Sequence, residues 1–307
     1  MKRVVVGQGR AWLEEEPDPA PEGEWVVVRM VAIPICGSDL HAYHSPEPVR
    51  EAGHEGVGVV VAADRNTRVR VGQRVALMPG SGCGQCRFCL MGHPLHCFHK
   101  PPKEGHFAEY TRSQDWLCLP IPDDLSFEQA SLTGCALNPG FGACRRLQAS
   151  GADTVLVTGL GPVGLGAVVC ARARGARVIG VDLEPWRRER ALELGAEEVL
   201  DGADLDLAMH VRQRTDGTGP SVAIDCTGHP AAEQLCVEVA AVFGRVAFVG
   251  ENPGTVDLSP SRHFIRKNLM LIGNWACCLA DYEAMCDLIR RTPNVDLLIS
   301  HRFPLSR

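Results

Sequence analysis

Cys83, Cys86, Cys89 and Cys97 stand in the pattern C-x2-C-x2-C-x7-C, spaced by small residues in Gly82-Cys83-Gly84-Gln85-Cys86-Arg87-Phe88-Cys89. Four thiolates so close together suit one tetrahedral zinc ion. A zinc held by four cysteines has no open coordination position, so the site is expected to hold a lobe at residues 80–100 together and to catalyse nothing. A pair of disulfides or an iron–sulfur cluster can use similar spacings, but the rest of the chain supplies a context that fits zinc. A second set of metal-binding residue types lies outside this cluster. Cys36 sits in Cys36-Gly37-Ser38-Asp39-Leu40-His41, His54 and Glu55 in Gly53-His54-Glu55-Gly56, and Cys135 in Leu132-Thr133-Gly134-Cys135-Ala136-Leu137. Two cysteines and one histidine are the ligand set of one kind of catalytic zinc, with the fourth position left to water or substrate. Each residue alone reads as core or surface; the case rests on their joint presence.

A third constellation is Thr158-Gly159-Leu160-Gly161-Pro162-Val163-Gly164, a G-x-G-x-x-G that follows an expected strand and opens an expected helix. Gly159 permits the tight turn, Gly161 lets a pyrophosphate approach the backbone, and Gly164 lets helix and strand pack closely. A diphosphate would sit on the helix N-terminus, beside Pro162 and Val163, where free N–H groups and the dipole favour an anion. Asp182 closes the next strand, where an acid accepts hydrogen bonds from the adenosine ribose and repels a 2′-phosphate; this favours NAD over NADP. Arg187 or Arg188 could instead reach a phosphate, which keeps NADP as the alternative. Val249, closing a later strand, is counted with the cofactor-binding residues.

The elements that must position these groups fall into two textures, as the length of 307 residues also suggests. The first 135 residues are rich in Val, Gly and Pro, with short apolar runs at Trp25 to Val31, Gly56 to Val61 and Arg74 to Met78, and read as a mostly β lobe. Ser126, with Gln129 three residues on, reads as a capping box opening a helix. From Asp153, strands at 154–158, 177–181, 222–226, 245–249 and 269–272 alternate with helical stretches such as 162–174 and 185–194, the βαβ texture of a parallel sheet. A further helix is expected over 279–290. The net charge of −6, without a Lys/Arg stripe, argues against nucleic acid as a partner. No run of eighteen apolar residues exists, so no membrane span is expected, and the N-terminus lacks the pattern of a signal peptide. Fourteen cysteines in such a chain point to metal-bound and free thiols in the cytoplasm. Cys118, Cys144, Cys170, Cys226, Cys236, Cys277, Cys278 and Cys286 are expected as buried small hydrophobes.

In the order and spacing of these motifs the chain resembles the zinc-dependent medium-chain alcohol dehydrogenases of the medium-chain dehydrogenase/reductase superfamily, from its N-terminus to near Arg307. The resemblance implies an α/β protein. A GroES-like β-barrel catalytic domain would span 1–137 and 275–307, and an NAD-binding Rossmann domain with a doubly wound parallel sheet 138–274, with the active site in the cleft. It implies two zinc ions per chain and NAD(H). Cys36, His54 and Cys135 would bind the catalytic zinc. Glu55 would lie beside it and exchange with water as a ligand, and Asp39 would orient the imidazole. Ser38 would accept the alcohol proton and pass it through the ribose hydroxyl to His41 near the surface. The expected reaction moves a hydride between the CH–OH of a secondary alcohol or polyol and NAD, with zinc as the Lewis acid. A primary alcohol, or a non-catalytic NAD- and zinc-binding protein, is the alternative. The implied partners are a small alcohol or ketone and further copies of the chain, in a homodimer or homotetramer paired near Leu269 to Ile272.

Several positions depart from the family pattern. The sequence stops at Arg307, where relatives usually continue through a further helix and strand of the catalytic lobe, and this absence is what raises the non-catalytic alternative. The segment from His41 to His54 is short, with Ala52 where Pro is common. The stretch from Cys97 to Phe107 is compressed, with His106 where Gly is frequent; His106 reads as a solvated loop histidine rather than an extra polar group near the cleft. Cys135 resembles the alcohol-dehydrogenase branch, whereas the Cys36 motif resembles the polyol branch. Trp275 is placed either near the nicotinamide or in packing.

Overall fold

The computed structural model describes residues 1–276 and 278–306. Cys277, one of the expected buried thiols, and Arg307, the expected end of the catalytic lobe, lie outside the described residues. The chain divides into two compact units, one of Met1–Cys135, Cys278–Cys286 and Ile299–Arg307, the other of Ala136–Cys277 and Asp287–Leu298. The segment 287–298 thus groups with the second unit, whereas the sequence reading placed all of 275–307 in the first.

The first unit opens with a hairpin of β1 (Lys2–Gly7) and β2 (Arg10–Glu15). A five-stranded antiparallel sheet follows, formed by β3 (Trp25–Ala32), β4 (Val57–Ala62), β5 (Arg74–Leu77), β6 (Tyr110–Gln114) and β7 (Cys118–Pro120) in the order β6-β3-β4-β5-β7. The apolar runs supply its buried face: Val26, Val28, Val60, Val75, Leu77 and Cys118 pack as one cluster. Burying such side chains contributes about 1.5–3 kcal/mol each. Between the strands lie the short helices α1 (Asp39–Tyr43), α2 (Arg87–Leu90) and α3 (Phe127–Ser131). The capping box opening α3 is present: Ser126 Oγ accepts from Gln129 N, and Gln129 Oε1 accepts from Ser126 N.

The second unit holds α4 (Asn138–Arg146) and a six-stranded parallel sheet of β8 (Thr154–Thr158), β9 (Arg177–Asp182), β10 (Glu198–Asp201), β11 (Val222–Asp225), β12 (Arg245–Phe248) and β13 (Met270–Gly273). Its order, β10-β9-β8-β11-β12-β13, is that of two mononucleotide-binding halves meeting at β8 and β11. Continuous apolar strands such as Val155-Leu156-Val157 are buried on both faces, as a covered parallel sheet requires. The connecting helices are α5 (Pro162–Ala173), α6 (Pro185–Glu193), α7 (Leu207–Gln213) and α8 (Pro230–Val239). Finally, α9 (Tyr282–Arg291) follows a 3-10 turn at Leu279–Asp281, so the single helix expected from residue 279 begins as the tighter turn. Of the thiols without an assigned role, Cys118, Cys144, Cys170, Cys236, Cys278 and Cys286 are buried as expected, and Cys226 is half-buried. No helix among the described residues is long and apolar enough to cross a membrane.

Candidate metal centres and nucleotide turn

The first unit brings Cys36, His54, Glu55 and Cys135 together, with one ligand atom from each within 4.8 Å of all the others. Four local structures deliver them. Cys36 ends the extended run after β3 and enters the turn that becomes α1, and Asp39 closes that turn by accepting the Cys36 N–H on Oδ2 at 2.8 Å. His54 and Glu55 lie in the irregular stretch before β4. Cys135 follows α3, whose helical pattern continues as turns through Gly134. A Cβ added to Gly134 would stand 3.2 Å from the Glu55 Cα, so its glycine lets this turn press against the His54–Glu55 backbone.

The donor set fits zinc. Cys36 Sγ and Cys135 Sγ are 3.7 Å apart, against about 3.8 Å for two thiolates on a tetrahedral zinc with bonds near 2.3 Å. His54 Nε2 lies 3.5 Å from Glu55 Oε1, and its Nδ1 is 3.6 Å from Asp39 Oδ1, a charge pairing rather than a short hydrogen bond. The electrostatics of the metal-free chain follow from this crowding. The Cys135 thiol, assisted by His54 and Ser38, holds Cys36 as a thiolate with a pKa lowered to about 3. The same Cys36 contact, together with burial, pushes Cys135 well above the usual thiol range. Burial opposes charge on His54, but Asp39 and Cys36 outweigh it and raise its pKa to about 10. Burial and the neighbouring Cys36 raise Glu55 to about 8. Ionisable groups crowded and displaced in this way are a signature of functional sites.

Ser38 and His41 are exposed on the turn and first helix. His41 Nδ1 lies 3.3 Å from the Ser38 carbonyl oxygen, not its hydroxyl. His106 corrects the sequence reading: it is buried rather than solvated. Its Nδ1 accepts the Gly56 N–H at 2.9 Å, and burial, aided by the nearby His54 charge, lowers its pKa to about 3. Sequence spacing could not place it there, because the pairing of residues 105–107 with residues 52–56 is long-range. Asp39, expected from the resemblance to orient the imidazole, lies 3.6 Å from His54 Nδ1, and it also accepts from the Cys36 and Gly53 N–H groups.

Cys83, Cys86, Cys89 and Cys97 form the second cluster, again with their sulfurs within 4.8 Å of one another. Cys86 Sγ and Cys89 Sγ are 3.6 Å apart. Backbone N–H groups of Cys83 and His99 point at Cys97 Sγ at 3.4 and 3.3 Å, and that of Cys86 at Cys83 Sγ at 3.3 Å, donors suited to thiolates. The fully buried Gln114 anchors the loop, accepting from Gly82 N at 2.9 Å and donating to Gly82 O at 2.7 Å.

In the second unit the glycine turn links β8 to α5. Gly159 has φ +79°, and a Cβ there would meet Thr227 Cγ2 at 2.6 Å, while one on Gly164 would sit 1.6 Å from Gly159 O. Gly161 differs: a Cβ there would meet nothing within 4 Å, so open space lies above its backbone, as a pyrophosphate needs. α5 starts at Pro162 without a side-chain cap, leaving its N-terminal end for an anion, and Val163 follows in its first turn. Asp182, at the end of β9, accepts from Leu160 N at 2.6 Å and Glu184 N at 2.8 Å, and Arg187 Nη1 lies 3.7 Å from it. Arg188 donates to the Asp182 carbonyl at 2.7 Å. Both arginines raised as phosphate partners are therefore engaged at Asp182. Val249 is buried immediately after β12. Sequence reading passed over Asp225, which is fully buried at the end of β11. It accepts from Thr158 Oγ1 at 2.7 Å, Thr227 Oγ1 at 2.6 Å and Gly228 N at 2.9 Å, fastening the end of β8 to the turn after β11. Trp275 is half-exposed.

A parallel 3-2-1-4-5-6 sheet with a glycine turn, in one chain with a β unit carrying an open Cys/His/Cys set and a closed four-cysteine set, defines a zinc- and dinucleotide-binding oxidoreductase. Family models agree: residues 22–123 match the alcohol dehydrogenase GroES-like domain and residues 162–291 the zinc-binding dehydrogenase domain. A zinc-type alcohol dehydrogenase-like protein of Escherichia coli, YphC, is 33% identical over 98% of this chain and 91% of its own. Sorbitol dehydrogenase of Bacillus subtilis is 34% identical over 81% and 75% of the two chains. The solved alcohol dehydrogenase TADH of Thermus sp. ATN1 superposes with a TM-score of 0.92 at 28% identity, covering 100% of this chain and 94% of that one. The chain belongs to the zinc-dependent medium-chain alcohol dehydrogenases, which are NAD-dependent oxidoreductases.

Proposed function

We propose that this enzyme interconverts a secondary alcohol or polyol and the corresponding ketone with NAD, using two zinc ions of different task. The observation that carries the reading is the pair of metal-ligand clusters, one with only three Cys/His donors and one closed by four cysteines. When bound, zinc supplies a Lewis acid and nicotinamide a hydride acceptor. Cys36, His54 and Cys135 hold the catalytic metal, with Glu55 beside it, while Asp39 keeps the His54 ring turned toward it. Ser38, exposed beside Cys36, accepts the substrate proton, and His41 on the adjacent helix hands it to solvent. Gly159, Gly161, Pro162, Val163 and Gly164 receive the dinucleotide, with Asp182 on the adenosine ribose, Arg187 beside it, and Val249 on the neighbouring strand end. The engagement of Arg187 and Arg188 at Asp182 supports NAD over NADP.

The polyol class is supported by the identity with B. subtilis sorbitol dehydrogenase. Among the described residues the cysteines form no disulfide, which supports a cytoplasmic home. β13 is an edge strand with Met270 half-exposed, which supports pairing between copies of the chain in a homodimer or homotetramer. The test is alcohol-dependent NADH formation across secondary alcohols, polyols and primary alcohols. Turnover confined to primary alcohols, or none with two zincs bound, would overturn the reading.

A further inference from the structure

The stretch 52–56 that carries His54 and Glu55 belongs to no strand, so its conformation depends on what its backbone groups bond. Asp39 Oδ1 takes the Gly53 N–H at 3.3 Å, the N–H groups of Phe107 and His106 reach the Ala52 and Gly53 carbonyls at 3.2 Å, and Leu77 N reaches the Gly56 carbonyl at 2.9 Å. The N–H of Gly56, on the peptide that joins it to Glu55, goes to no backbone acceptor. It goes to the imidazole of His106, at 2.9 Å from Nδ1. Gly56 is shaped for this contact: a Cβ there would stand 3.1 Å from His106 Nδ1 and 1.9 Å from Met30 Cε. One buried side chain therefore fixes the plane of the peptide directly after Glu55, while its own backbone N–H fixes the residue before His54.

We propose that His106 is a positioning residue for the catalytic metal: its Nδ1 sets the Glu55–Gly56 peptide and thereby the directions from which His54 and Glu55 face the ion. The inference rests on the zinc-site reading above. Without the acceptor, a buried N–H is left unsatisfied, and the peptide must turn to find another partner. The closed four-cysteine site serves as an internal reference, because His106 contacts none of its ligands among the hydrogen bonds of the structure.

The test compares His106→Asn, whose amide oxygen can stand where Nδ1 stands, with His106→Leu, which keeps bulk and removes the acceptor. Each is loaded with zinc and challenged with a chromogenic chelator. Release from the catalytic site is expected to be about 10–100-fold faster in His106→Leu than in the parent. Release from the four-cysteine site is expected to be unchanged, and His106→Asn to lie close to the parent. kcat should follow the same order, while KM for NAD stays constant. Equal release from the catalytic site in parent and His106→Leu, or equal impairment in Leu and Asn variants, would overturn the proposal. If His106→Leu does not fold, His106→Phe, which keeps a ring but has no acceptor at that position, supplies the comparison, and parental zinc release in it overturns the role. A parent that binds only one zinc would instead overturn the zinc-site reading itself.

Discussion

Oδ1 of Asp39 stands 3.6 Å from Nδ1 of His54, and the other oxygen of the same carboxylate accepts the Cys36 N–H at 2.8 Å. One side chain thus ties two members of the proposed metal set, from two different turns, to a single anchor. Partners of this kind fix the ring orientation of a metal-bound histidine, and their loss costs about 10–100-fold in metal affinity. Asp39→Ala is expected to weaken zinc at the Cys36 site by that factor in chelator competition and to spare the four-cysteine site. Unchanged affinity would remove Asp39 from the metal centre.

Zinc binding should also move protons in a countable way. In the metal-free chain Cys36 is already a thiolate above about pH 3, but His54 keeps its proton up to about pH 10, and contact with Cys36 and burial hold Cys135 as a thiol well above the usual range. The bound state requires a neutral His54 and a Cys135 thiolate. At neutral pH, filling this site should therefore expel about two protons from His54 and Cys135, and a third from Glu55, raised to about 8, wherever it meets the ion as a carboxylate; affinity should rise with pH by at least roughly a hundredfold per pH unit. Calorimetry in buffers of different ionisation enthalpy, on protein whose four-cysteine site is already filled, measures the count. Asp39→Asn, which removes the charge holding His54 protonated, should lower the count toward one.

Cofactor preference should depend on Asp182. Its carboxylate meets Leu160 N, Glu184 N and Arg187, so its removal both deletes the proposed ribose acceptor and frees a guanidinium. Asp182→Ala is expected to lower kcat/KM for NAD by about 10–100-fold, the scale of a lost charge-assisted hydrogen bond, and to raise that for NADP. Steady-state kinetics with both cofactors decides, and an unchanged NAD/NADP ratio would place the ribose elsewhere.

Much of this was legible in the sequence, for a physical reason. The glycine turn and the four-cysteine loop are set by neighbours within a few residues, so spacing alone carries them. The capping box at Ser126 is equally local. His106 was misread because its burial depends on residues 105–107 meeting residues 52–56 across the fold, and nothing near it in the chain announces that contact. Asp225 was overlooked for a similar reason. An acid ending an apolar strand reads as a boundary until its donors, Thr158, Thr227 and Gly228, are seen around it.

That buried Asp225 supplies a stability test. Replacing it with Leu strands several donors in a dry site, at a cost of about 3–5 kcal/mol. Urea unfolding is expected to report that loss, and the remaining folded protein to bind NADH more weakly. An unchanged unfolding midpoint would mean that Asp225 does not fasten the turn.

The most direct measurement is zinc content per chain together with alcohol-dependent NADH formation, in the parent protein and in Cys135→Ser and Cys97→Ser. The expected result is two zincs and turnover in the parent, one zinc and no turnover in Cys135→Ser, and one zinc with residual turnover but lower thermal stability in Cys97→Ser. Full turnover in Cys135→Ser, or a parent with one zinc that Cys97→Ser abolishes, would contradict the division into a catalytic and a structural metal.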